Sequence, residues 1–490
     1  MAFSSTASSL LVLLCAATAH AAEVRASVDF SKHIRDWDGF GINYVETAQT
    51  RDYKADPQEY GGFSLLSETD RRKVIDMIFG ADGLKPGLLK MFLDPWHEPE
   101  NDNADPNVID ASRFDHKTTT QWLRYFAREG LKATRARGGN LSIITTLYGP
   151  PAWMTKQGFI RGRDLDPSKK YEAGEYMIAW VKFLRDDEKL PVDFVSLHNE
   201  GEDFYRWPDD GGTADKPSHD YNLFWPPEQV ADFLGFIRGM LDKQGLRGVG
   251  VTPGETSNWL RFSDWGYAEA IASDPKAVRG LGLITSHGFV NFRPTRWFAD
   301  FRSLGNDILR EKNPSLRSWV TSQSWSQMDA NFVAQLRGNI YVSKVNGIIP
   351  WAAIQRPAKW VGGDPNPGKA FGVDEQGKLT VEPGYYFYKQ ACSAGQPGML
   401  VAHVTSTDAE VTMMAFARAK TSHPDALVLI NTGAQGKPVT LAVKGTAIRS
   451  FETFRTSPSE RYQPLGTTSV EAGMIRYAAP PGSVTTFFAK

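Results

Sequence analysis

Two cysteines in 490 residues, Cys15 and Cys392, leave no disulfide framework to hold this chain, so its stability has to come from a packed core. Long apolar runs are missing too: past residue 22 no stretch of about 18 uncharged apolar residues occurs, which excludes a membrane-spanning helix. With 55 basic against 56 acidic side chains, the chain lacks the electrostatic footprint of a nucleic-acid partner. The histidines His97, His116, His198, His219, His287 and His403 never fall at paired ligand spacing, and Asp203, Asp209 and Asp210 lack the spacing of a calcium loop, so no metal is expected. No Gly-x-Ser-x-Gly elbow is present, which argues against a serine hydrolase of the usual fold, and no glycine-rich phosphate loop opens a helix, which argues against a doubly wound open sheet. No cofactor is expected.

What the chain does have is apolar and aromatic material. Its 41% hydrophobic content, with 14 Trp, 16 Tyr and 28 Phe, fills a large core and suits sugar-stacking surfaces equally well. Residues 1–22 read as a secretory signal peptide: an apolar run over 10–17, then Ala19-His-Ala21 as a small-x-small cleavage pattern. The absence of Lys and Arg ahead of that run departs from the usual form. Cleavage removes Cys15, leaves Cys392 alone, and implies a secreted or periplasmic protein.

Short apolar runs at 37–46, 88–93, 141–145, 192–197, 249–251, 281–285, 317–321 and 346–351 have the character of strands in a doubly covered parallel sheet. Helical patterns lie between them. Ser67 and Asp70 form a cap before Val74, Ile75, Ile78 and Phe79, and Gly80 stops the run. The other helices are expected at 118–137, 173–185, 227–244, 265–272, 296–312, 330–344 and 385–393. This alternation predicts an α/β fold, a (β/α)8 TIM barrel over 37–397. From 398 to 490 the pattern changes to short strands at 399–405, 411–417, 426–431, 439–443, 448–454 and 484–489 separated by turn residues, an all-β sandwich. Residues 23–36 have no place in the barrel count and are expected to add a strand to that sandwich.

In such a barrel the residues after each strand converge on one face. They are Asn43, Tyr44 and Glu46; Asp94 and Trp96; Tyr148 to Trp153; His198, Asn199 and Glu200; Glu255 and Trp259; His287; Gln323 and Trp325; and Trp351. So many carboxylates, imidazoles and indoles suit the handling of sugar, although core filling explains any one of the tryptophans equally well. An Asn-Glu pair at a strand end supplies an amide that grips a sugar hydroxyl and a carboxyl that protonates a departing oxygen.

On these residues the chain resembles a clan A retaining glycoside hydrolase, and glycoside hydrolase family 30 most of all. The resemblance is carried by Gly39-Phe-Gly41, Gly149-Pro-Pro-Ala-Trp-Met154, His198-Asn-Glu200 and Ser286-His287, with the stretches 385–390, Pro397-Gly398 and 480–486. It covers nearly the whole mature chain. It implies hydrolysis of a β-linked oligo- or polysaccharide by double displacement, with Glu200 as general acid/base and Asn199 on the hydroxyl beside the reacting carbon. His287, Trp153, Trp351, Trp325, Glu255, Asp94 and Tyr44 complete the expected sugar-binding set.

In that family a Glu ending the seventh strand is the nucleophile, and here the matching stretch 319–325 carries Gln323. A neutral amide neither attacks an anomeric carbon nor stabilises an oxocarbenium ion with full charge. Three explanations stand side by side: a silenced nucleophile, another nucleophilic group, or a protein that binds sugar without cleaving it. Glu255 is the first substitute carboxylate, with Glu202 and Asp94 behind it, although a structural role for Glu255 is the stronger reading. Substrate assistance by an acetamido sugar is a further option. The resemblance spans glucosyl, xylosyl, galactosyl and fucosyl targets. The loops 204–225 and 355–367 would choose among them, and Arg293, Arg296 and Arg356 are candidates for gripping a uronic acid.

Overall fold

The structure is a computed structural model and describes residues 23–47, 59–204, 221–290, 300–323, 327–356 and 368–490. The leader over 1–22, Arg293, Arg296, Trp325, and the loop segments 205–220 and 357–367 lie outside the described residues.

Strand β1 (Val24–Asp36) comes first and belongs to the side domain. The barrel follows, as β2 (Gly39–Asn43), β3 (Leu88–Leu93), β4 (Ser142–Leu147), β5 (Val192–Ser196), β6 (Gly250–Thr252), β7 (Ile284–Ser286), β8 (Ser318–Gln323) and β9 (Gly347–Pro350). Neighbours are parallel, and β9 returns to pair with β2. The last seam, between β6 and β7, closes through a Val251–Leu281 bridge and the Gly282 amide donating to Val251 O at 2.8 Å. Backbones approach so closely there that a Cβ on Gly282 would stand 2.7 Å from the Gly250 Cα.

Helices cover the outside: α1 (Glu68–Phe79), α2 (Gln121–Ala136), α3 (Lys170–Asp186), α4 (Pro227–Lys243), then α5 (Trp259–Asp264), α6 (Tyr267–Ser273) and α7 (Pro275–Gly280), and finally α8 (Leu304–Lys312), α9 (Ala330–Tyr341) and α10 (Pro383–Ala394). The Ser67 hydroxyl accepts from the Asp70 amide at 3.1 Å and starts α1, whose buried face is Val74, Ile75, Ile78 and Phe79. Three short helices replace the single one expected over 265–272. Gly266 at φ 87° ends the first of them, and Asp274 capping the Lys276 amide, with Pro275 in the first turn, restarts the third. Of the helix expected over 296–312, residues 296–299 lie outside the described residues, 300–303 are not helical, and α8 starts at Leu304.

Inside the barrel two layers differ in chemistry. Leu88, Ile144, Leu283, Trp319 and Ile349, with Phe194, form an apolar plug toward the strand N-termini. Above it, parallel register sets Asn43 beside Lys90, and Thr146, Ser196 and Thr252 in one row, all facing inward. That polar layer is buried, and it is the floor of the site described below.

After a small sheet of β10 (Ile354–Gln355), β11 (Phe371–Val373) and β12 (Leu379–Val381), the C-terminal strands are β13 (Leu400–Ser406), β14 (Val411–Ala417), β15 (Ala426–Asn431), β16 (Lys437–Lys444), β17 (Ser450–Thr456), β18 (Gln463–Ser469), β19 (Met474–Ala479) and β20 (Ser483–Ala489). With β1 they make one nine-stranded sheet in which β1 lies antiparallel to β13 and parallel to β16. Alternate residues of β14 serve two cores: Met413 and Ala415 face the side domain's own core, while Met414 and Phe416 join the barrel's. The two units therefore share a packed boundary. Trp37 sits on it, fully buried, its indole N–H donating to Gly395 O at 2.9 Å and its ring 4.8 Å from Phe40 and 5.3 Å from Phe416.

Replacing Trp37 by Ala is expected to cost about 3–5 kcal/mol. Because the indole touches both units, denaturant unfolding of the variant should show the barrel and side domain losing stability together. A transition that splits, with one unit unaffected, would contradict that shared boundary.

Candidate active site

The backbone beyond β5 and β6 extends the sheet by one more ladder step. The Glu200 amide donates to Glu255 O at 2.8 Å and the Glu255 amide to His198 O at 2.9 Å. This pairing brings two carboxyl-bearing residues to adjacent strand ends. Glu200 takes a left-handed φ of 43°, a conformation that a residue with a Cβ adopts only under constraint. His287, just past β7, is held by its own amide donating to Thr256 O at 2.8 Å.

The side chains then form a chain of contacts. Glu200 Oε1 lies 2.9 Å from His287 Nδ1, and His287 Nε2 lies 3.1 Å from Glu255 Oε2. The Lys90 ammonium pairs with that same Glu255 oxygen, and the Thr146 hydroxyl donates to Glu255 Oε1 at 2.6 Å. Lys90 and Glu255 are wholly buried, whereas Glu200 keeps 8% of its surface. Burial alone would raise the Glu255 carboxyl, but the Lys90 charge and the bond from His287 outweigh it and hold it down at about 2. For His287, burial works against the charged ring, and the bonds to Glu200 and Glu255 prevail and raise it above its ordinary value. His198 differs: burial pushes it down to about 3, and as a neutral ring stacked on Trp225 it accepts from the Gly201 amide at 3.1 Å.

The remaining expected residues divide sharply. Asn199 stands beside Glu200 and donates to Asn222 Oδ1 at 3.4 Å. Trp351 follows β9 and stands edge-on to Phe92, ring centroids 6.0 Å apart, almost buried. Trp153 is partly exposed, its N–H on Glu98 O at 3.0 Å. Tyr44 does not belong to the site. It faces away from the barrel interior, buried among Phe63 and Phe126 with its hydroxyl on Glu59, because strand alternation turns Asn43 inward instead. Asp94 accepts from Thr47 and the Trp96 amide, and Glu202 Oε1 accepts from Ser257 and Arg261; both carboxylates are buried.

Gln323 does not turn toward this group of side chains. Val320 pairs with Ile348 and Gln323 with Pro350, so β8 fits one residue more than β9 in that interval, a bulge that turns the Gln323 side chain outward. Asn339 donates to its Oε1 at 2.5 Å and its Nε2 donates to Gln335 at 3.1 Å, both partners on α9. No hydrogen bond links it to Glu200, His287 or Glu255 among the described residues. Its neighbour Ser322 is buried. Among the described residues, no second carboxylate therefore faces Glu200 across open space: Glu255 is screened from it by the imidazole, which leaves no room for a sugar and a water between them. Lys90 and Thr146 were not anticipated. The signal for Lys90 was a lone charge in the middle of the apolar run Leu88 to Leu93.

No family model matches the chain, and neither does any curated protein sequence. Solved structures do. A GH30 endoxylanase from Clostridium papyrosolvens C71 superposes with a TM-score of 0.66 at 16% identity, over 95% of this chain and 100% of that one. The catalytic domain of GH30 xylanase C from Talaromyces cellulolyticus gives 0.69 at 17% identity, over 95% and 100%. An endo-β1,6-glucanase gives 0.66 at 16% identity, over 95% and 94%. The fold is thus the (β/α)8 barrel with attached β-domain of glycoside hydrolase family 30 structures.

Beneath Trp153 lies an acidic group of Glu98, Asp102, Glu172 and Glu175. Burial raises Glu98 to about 8, and burial together with the hydrogen bond that protonated Glu175 donates to Glu172 raises Glu175 to about 9. Both folded values stand above the ordinary carboxyl value of 4.5, so the folded state keeps protons that the unfolded chain releases. Stability is therefore full below the ordinary carboxyl range and is lost as pH rises toward these folded values. Thermal unfolding measured from about pH 5 to about pH 9 should show Tm falling, and Glu175→Gln should flatten the slope. A Tm that holds or rises over that range would refute the assignment.

Proposed function

We propose that the chain is a glycoside hydrolase acting on β-linked oligo- or polysaccharide, with Glu200 as the proton donor to the departing oxygen. The observation that carries this reading is the Glu200–His287 hydrogen bond at the strand C-termini, on a carboxyl that keeps some exposure where Glu255 keeps none. The fold supports it, and so do the structural neighbours, whose names are those of xylanases and a β1,6-glucanase. Asn199 lies where it would hold a hydroxyl of the sugar, and Trp351 and Trp153 offer aromatic faces for stacking. The leader over 1–22 would deliver the chain to extracellular or periplasmic polysaccharide.

A second reading is favoured by one specific observation. The end of β8 carries Ser322 and Gln323, so the second carboxylate of a double displacement is lacking there. On that reading the chain binds glycan and does not cleave it. Glu255 does not fill the gap, since its two oxygens are engaged by Lys90, Thr146 and His287. A proton donor without a second carboxylate at the end of β8 also suits a substrate that brings its own nucleophile, so acetamido sugars belong among those tested.

The test is hydrolysis of a panel of β-linked oligosaccharides, with product anomers followed over time. Turnover is expected for the chain, and Glu200→Gln should lower kcat by about 10²–10⁴-fold. Calorimetric binding without turnover, with activity gained by Ser322→Glu or Gln323→Glu, would establish the binding reading and locate the missing nucleophile.

A further inference from the structure

Four ionisable groups from four different strands meet in one line: Lys90 within β3, Glu255 after β6, His287 after β7 and Glu200 after β5. Their nominal charges alternate, positive, negative, positive, negative. His287 is the link, because each ring nitrogen faces a different carboxylate. The groups facing the ring are Glu200 and Glu255 by hydrogen bond, with Lys90 and the neutral His198 acting through space.

The order of these contacts decides where protons reside. Glu255 is ionised beside Lys90 and accepts the Nε2–H of His287 in every state of the ring. The ring atom that gains and loses a proton is then Nδ1, and it faces Glu200 Oε1. When His287 carries its second proton, Nδ1–H donates to Glu200 and stabilises the carboxylate. When Nδ1 is bare, the hydrogen bond persists only while Glu200 Oε1 holds the proton. The side chains of Lys90 and Glu255 are wholly buried and reach the Glu200 carboxyl through His287, and their charges bear directly on that balance.

We propose that Lys90 and Glu255 are positioning residues whose opposite charges fix the tautomer of His287 and set the pH at which Glu200 gives up and regains its proton, a role that rests on Glu200 being the proton donor. The charges make the two residues separable. Lys90→Met removes a positive charge, so His287 and Glu200 hold their protons to higher pH. Glu255→Gln removes a negative charge, so both release them at lower pH. The double variant restores the net charge and returns the balance close to its starting point.

Two measurements on the full chain test this. The first is the imidazole titration of His287, followed by NMR on ¹⁵N-histidine-labelled protein and assigned against His287→Gln; it needs no turnover. The second is the pH dependence of kcat/KM on whichever oligosaccharide is cleaved. Opposite displacements of about one pH unit or more in the two single variants, cancelling in the double variant, are the expected result. Displacements in the same direction, or none in variants that keep the native circular dichroism, would overturn it. If Lys90→Met does not fold, Glu255→Gln and the double variant decide, the first displaced downward and the second restored if the inference is right. A chain without turnover whose His287 titration still moves in opposite directions would defeat the hydrolase reading while leaving the charge relay in place.

Discussion

The buried ion pair of Lys90 and Glu255 is the constraint on which the centre of this barrel depends. Taking two charges out of water costs several kcal/mol per ion, and only close contact and further hydrogen bonds offset it. Here the offset comes from Thr146 on one carboxylate oxygen and His287 on the other. A lone charge left in such a place typically destabilises by about 3–5 kcal/mol, so the position of β3 relative to the end of β6 is fixed as firmly by electrostatics as by packing. His287 inherits its orientation from Glu255, and Glu200 inherits a partner from His287.

Around that pair the barrel is divided by height. The apolar plug of Leu88, Ile144, Leu283, Trp319 and Ile349 closes the lower end by ordinary hydrophobic burial, with no polar group to satisfy. The polar layer above it, from Asn43 and Lys90 to Ser196 and Thr252, is tolerable only because the strands beneath are already locked in register. The side domain contributes from outside. Through Trp37, Met414 and Phe416 it fills the space against the barrel that an ordinary helix layer would leave open.

Much of this was legible in the residues. The barrel strands announce themselves as apolar runs because both faces of each are covered, and α1 because Ser67, Asp70 and Gly80 mark its ends. Two strands of the side domain were not legible: β18 is exposed along almost its whole length and β19 alternates only in part, so neither carries a period-two pattern. Within the site, the grouping of Asn199, Glu200, Glu255 and His287 followed from the strand ends alone. The facing of single residues did not. Tyr44 and Asn43 differ by one position, and one position is the whole difference between core and cavity in a strand. The bulge that turns Gln323 toward α9 depends on the stagger between β8 and β9, and no residue type in 318–323 signals it.

The place of β1 has a consequence for how the molecule is made. Its residues are the first of the described chain to be synthesised, yet its partners are almost the last: the Arg25 amide donates to Thr407 Oγ1 across a separation of 382 residues, and Val24 to Asp29 lie alongside Val439 to Lys444. During elongation the entire barrel can close while this segment remains an unpaired ribbon with alternate apolar side chains uncovered. Contacts of such range form late and slowly, because the loop they close is long. When the strand finally inserts between β13 and β16 it joins both neighbours at once, so the side domain cannot be completed by its own sequence and the fold is finished by its first-made piece.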